Sequence, residues 1–204
     1  MGFRDRFQHR DIEILKIILS SGNDLGIRDS NYPAQIADAI ARDHPDEAWA
    51  IVSKNLERDD ERSVWLEMWL GEEMSFDDDK VVGPITSFNP EQVMEWVMEY
   101  PKKRARKLLR CLPKTLDESR GGKLTKLFAE TFGDGELGDS LMSHFWTGGW
   151  SGPESAYRAG KRDKAREWVS EIKSGKILAW LYRYIEHLND LIAQAEIREE
   201  RGFQ

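Results

Sequence analysis

Residues 89–113 read NPEQVMEWVMEYPKKRARKLLRCLP, two helices with their boundaries written in. Asn89 can cap, Pro90 suits the first helical position, and Gln92 stands where a capping box places the residue that reaches back. Val93, Trp96, Val97 and Tyr100 then recur at steps of three and four, which puts them on one face. Pro101 ends that helix and opens the next, in which Ala105, Leu108, Leu109 and Leu112 are apolar, and Pro113 closes it. Two short amphipathic helices with almost no linker between them pack as an antiparallel pair.

The same signals recur on either side. Residues 11–20 (DIEILKIILS) form a short, very apolar helix stopped by Gly22 and Asn23. Pro33 opens a helix with Ile36, Ala37 and Ile40 on one face, and Pro45 opens another with Ala48, Trp49, Val52 and Leu56. Residues 62–71 carry Trp65, Leu66, Trp69 and Leu70 and end at Gly71. Further helices are expected at 121–132, at 136–146, from near Pro153, and at 175–200. Only residues 72–88 break the pattern, and a loop with one short extended piece is expected there. The fold class is therefore all-α, a single helical domain over 1–204 made of antiparallel helix pairs. It stacks as a short α-solenoid or an irregular bundle, with a possible subdivision into 1–73 and 89–204 around the loop.

Helix starts near 45, 90 and 135 lie 45 residues apart, and HPDEAWAIV laid on NPEQVMEWV matches cap and proline. In this pattern residues 33–172 resemble HEAT or armadillo-type repeats. The resemblance implies a stacked right-handed array whose exposed surface binds macromolecules. Such arrays commonly serve as the recognition part of a larger protein, bacterial defence-type NTPases among them.

Composition narrows the function classes. Charged residues make up 33% and hydrophobic ones 40%, with eight Trp and eight Phe, which is a globular chain with a polar surface. One cysteine, Cys111, excludes an intrachain disulfide and a multi-cysteine metal site. No apolar run is long enough to span a membrane, no signal peptide is visible, and the cytoplasm is the expected compartment. A net charge of −7 argues against a general nucleic-acid binder.

Several motifs invite a chemical reading. Gly138-Asp139-Ser140-Leu141 spells the nucleophile block of GDSL-type esterases, but that chemistry needs its Ser at the end of an early β-strand and a late Asp-x-x-His pair. Here Leu137, Leu141 and Phe145 keep helical spacing instead. Cys111, between apolar neighbours on a helix, reads as a small buried hydrophobe rather than a nucleophile. The four histidines are scattered, and Asp77-Asp78-Asp79 lacks the alternation of a calcium loop, so neither metal nor cofactor is expected.

Two stretches remain. Residues 101–114 hold seven Lys or Arg and no acid, with Lys103, Lys107, Arg110 and Lys114 on one stripe. That stripe suits phosphates, or else it offsets the acidic region 57–79, where ten acids face two arginines. Residues 144–155 (HFWTGGWSGPES) set Trp146 and Trp150 around a Gly-Gly turn. Ser151 can cap the following helix, whose first N–H groups could receive an anion with Lys161 or Arg162 nearby. The expected function is a non-enzymatic protein-binding module anchored by Trp146 and Trp150 beside Ser151. The alternative is a nucleic-acid binder using Lys103, Lys107 and Arg110.

Overall fold

The structure, a computed structural model, describes residues 11–21, 40–71, 83–146 and 151–202. Every regular element among them is helical, as the periodicity predicts. None of those helices is long and apolar enough to cross a membrane.

The chain divides into two compact units, residues 1–113 with 119–124, and residues 114–118 with 125–204. The division does not fall at the acidic loop. Residues 72–82 lie outside the described residues, but 83–88 belong to the first unit. There Pro84–Ser87 form a turn of 3-10 helix rather than an extended piece, and Pro84 and Ile85 are buried. Apolar residues just after an acidic run are enough to seat it on the core.

The first unit contains α1 (Asp11–Ser21), a final helical turn at 40–43, α2 (Pro45–Leu56), α3 (Glu61–Gly71), α4 (Pro90–Glu99) and α5 (Pro101–Cys111). The expected start of a helix at Pro33 lies outside the described residues. Proline opens α2, α4 and α5, where its missing N–H costs nothing. Asn89 caps α4 as expected: its side chain accepts from the N–H of Glu91 at 2.9 Å and of Gln92 at 3.2 Å. Gln92 does not reach back, since its side-chain oxygen is buried without a hydrogen-bond partner.

The tryptophans meet where helices cross. Trp49 of α2 packs on Phe88 at 5.2 Å and edge-on to Trp96 of α4 at 5.7 Å, while Trp65 and Trp69 stack along α3. Each such pair adds about 0.5–1.5 kcal/mol beyond its burial. α3 and α5 touch backbone to backbone at Gly71, where a β-carbon would lie 2.7 Å from the carbonyl oxygen of Arg110.

The second unit holds α6 (Gly122–Phe132) from residue 125 onward, α7 (Glu136–Trp146), α8 (Glu154–Glu171) and α9 (Gly175–Glu200). Phe145 is its hub, in edge contact with Trp168 at 5.9 Å, Trp180 at 5.4 Å and Tyr184 at 5.8 Å. Trp180 donates its indole N–H to the carbonyl of Gly138 at 3.0 Å, so the ring is buried with its polar atom satisfied. α8 turns through residues 172–174 into α9, which Ser174 caps by accepting from Ile177 N–H.

Candidate functional site

The basic stripe of α5 is the first candidate, and its cations are already engaged. Lys103 donates to a carboxylate oxygen of Asp59 at 2.7 Å and to the carbonyl of Glu57 at 3.2 Å. Lys107 donates to the carbonyl of Arg58 and to Ser63 Oγ, both at 2.7 Å, and lies 3.5 Å from Asp59. Arg110 donates to Glu67 at 2.7 Å, and Lys107 approaches the same carboxylate at 3.7 Å. Glu67 is only 3% exposed, so these are the cations that make its burial tolerable. The stripe therefore faces residues 57–67 of its own unit. Asp59 shows the result, its carboxyl held below the usual range by the hydrogen bond from Lys103.

Arg104, on the same helix, is a core residue that the stripe reading passed over. Its guanidinium lies 4.7 Å from the Trp96 ring and 4.6 Å from the Tyr100 ring, and donates to Glu99, Glu57 and the Trp96 carbonyl. Arginine supplies the planar fork and the stacking face that such a position needs.

Neither nucleophile sits in a reactive setting. Cys111 is buried, with its Sγ against the carbonyls of Lys107 at 3.4 Å and Glu67 at 3.5 Å. Burial, and then the Glu67 charge, push the thiol far above its ordinary range. A thiolate is the reactive form, and this site disfavours it. Ser140 lies inside α7 and not at a strand end. Its neighbour Gly138 is required by packing, because a β-carbon there would fall 1.9 Å from the Gly133 carbonyl oxygen. Among the described residues no group of three His, Cys, Asp or Glu is placed to hold a metal ion.

At the second candidate, 144–155, Trp150 lies outside the described residues. Trp146 ends α7, partly buried, with the Arg158 guanidinium 4.6 Å from its ring centroid. Arg158 is itself buried and held by Glu154, to which its Nε donates at 2.8 Å. The cations expected near an anion at this helix start are Lys161 and Arg162. Lys161 instead stands 5.5 Å from the Tyr157 ring and Arg162 pairs with Asp163 at 3.1 Å. The signal that could have found Arg158 is its i,i+4 spacing from Glu154.

Ser151 is exposed and does not cap α8; Pro153 occupies the cap position with no side-chain hydrogen bond. Proline fixes the extended backbone there by itself. An anion does meet the first turn of α8, but it comes from the end of α9. Glu199 accepts from the Ser155 N–H at 3.0 Å and from its hydroxyl at 2.6 Å. Arg198 donates to Glu154 at 2.9 Å beside it.

A third region was not expected to bind anything. On α1, Ile12, Leu15 and Ile18 are buried, yet Ile14 and Ile17 are 42% and 56% exposed. On α3, which packs against α1, Val64 and Met68 lie one turn apart and are 48% and 64% exposed. No family model matches this chain, and neither a curated protein nor a solved structure is detectably similar to it. The candidates therefore rest on their own chemistry, and α1 and α3 are the ones among these three that show large apolar side chains in solvent. The sequence signal was available: DIEILKIILS is very apolar, and its apolar residues spread well beyond the single stripe that a one-sided surface helix needs.

Proposed function

We propose that this chain is a non-enzymatic helical module that binds another protein through the outward faces of α1 and α3. One observation carries this reading: α1 buries Ile12, Leu15 and Ile18, yet its Ile14 and Ile17 also stand in solvent. Water-exposed apolar area gains about 25 cal/mol per Å² on being covered, so such a face favours a docked surface.

Two further observations support binding over the alternatives. Lys103, Lys107 and Arg110, which a nucleic-acid reading would spend on phosphates, are bonded to Asp59, Ser63 and Glu67. The thiol of Cys111 is buried where its charged form is disfavoured, and Ser140 lies within α7. Trp146 enters this reading as a packing residue under Arg158 and not as the anchor.

The test compares affinity capture by the wild-type chain with capture by an Ile17→Glu/Met68→Glu variant. Both substituted residues are exposed, so the variant keeps its core. A protein retained by the wild type and lost by the variant supports the proposal. Identical retained sets, or none, reject it.

A further inference from the structure

Four methionines lie among the described residues, and their settings differ. Met94 and Met142 are buried, whereas Met68 and Met98 stand in solvent at 64% and 51% exposure. Met68 sits on α3 one turn from the exposed Val64, and α3 packs against α1, which shows Ile14 and Ile17. We infer that Met68 is a redox switch on this surface: a peroxide converts its thioether to the sulfoxide, and the bound protein is released. The inference rests on reading the outward side chains of α1 and α3 as a docking face, and it adds how that face is regulated.

The chemistry needs only hydrogen peroxide and access to the sulfur. The thioether sulfur takes one peroxide oxygen: an S–O bond forms, the O–O bond breaks, sulfur gives up two electrons and water leaves. A thiol-dependent methionine sulfoxide reductase reverses the step, two thiols becoming a disulfide while the oxygen departs as water. Exposure gives the oxidant a path to Met68 and Met98, and packing denies it to Met94 and Met142.

Placement decides what the oxidation does. A sulfoxide is polar where the thioether is apolar, so at Met68 it removes part of the surface whose burial would hold a partner. The helical core is spared, because Met68 lies outside it. Met98 belongs to α4, which is not part of the docking face. It is open to the same oxidant and serves as the internal comparison.

Peroxide treatment of the full chain, followed by peptide mass spectrometry, reads the first half of the inference. Met68 and Met98 are expected to convert at least about tenfold faster than Met94 and Met142. Affinity capture from a soluble lysate, with the peroxide removed beforehand, reads the second half. Oxidation is expected to lower Ile17-dependent capture at least about tenfold, and the reductase to restore it. Met68→Leu keeps an apolar side chain of similar volume, and its capture should resist peroxide. Met68→Gln, polar like the sulfoxide, should lose capture with no oxidant present. Met98→Leu should respond to peroxide as the wild type does. Far-UV circular dichroism checks that each variant stays helical.

Three results overturn the switch and leave the docking face standing. They are a Met68 that oxidises no faster than the buried methionines, an oxidised chain that captures as well as the reduced one, and a Met68→Leu chain as sensitive to peroxide as wild type. A reduced wild-type chain that retains no Ile17-dependent protein removes both the face and its switch.

Discussion

Gly138 shows what one residue decides. Its backbone lies so close to Gly133 that a β-carbon would sit 1.9 Å from a carbonyl oxygen, and its own carbonyl receives the Trp180 N–H. Gly138→Ala should therefore cost about 1–3 kcal/mol, seen as a lower urea midpoint at an unchanged slope. Ser140→Ala, two residues on, should be close to neutral, which is the opposite of what a nucleophile block would give. Glu67 is the second such residue. Removing it as Glu67→Ala leaves the largely buried Lys107 with only the exposed Asp59 carboxylate nearby, and about 3 kcal/mol should be lost in the same measurement. Arg110→Ala should cost about 1–3 kcal/mol: that side chain is 63% exposed, but it is the nearest cation to the buried Glu67 carboxylate, which then keeps only Lys107 at 3.7 Å.

At the level of the helix, ends matter more than middles. Asn89 satisfies two N–H groups of α4, while Gln92 contributes no bond from its oxygen. Asn89→Ala should lower stability by about 1 kcal/mol in thermal or urea unfolding, and Gln92→Ala should do much less. The clasp between α8 and α9 makes a prediction about pH. Hydrogen bonds from the Ser155 hydroxyl and N–H hold the Glu199 carboxyl below its ordinary range. A carboxyl lowered in the folded state stabilises it above the unfolded pKa, and that contribution is lost as pH falls through the folded value. Melting temperature should thus drop below about pH 4 by a larger step in wild type than in Glu199→Gln, which has no charge to lose.

For the whole chain, the division into two units is the central fact. The second unit gathers Phe145, Trp168, Trp180 and Tyr184 into one aromatic core and ties the far ends of α8 and α9 together. A fragment spanning 114–204 should accordingly be helical by far-UV circular dichroism and show the near-UV signal of packed tryptophan. A featureless near-UV spectrum would mean that its core is completed by the rest of the chain.

Helix positions were legible because everything that sets them is local. Proline at a first turn, Asn89 at a cap and apolar residues at steps of three and four act within a few residues, so the limits of α4, α5, α7 and α9 follow from the chain alone. Pairings between distant residues were not legible. That Lys107 would find Ser63, 44 residues away, or that Arg158 would cover Trp146, depends on which helix faces meet. Hydrophobic periodicity tells a face to be buried but names no neighbour, since apolar burial is non-directional. The same physics hid the exposed isoleucines of α1: residue order marks that helix as very apolar, and only packing decided that Ile12, Leu15 and Ile18 are buried while Ile14 and Ile17 are exposed.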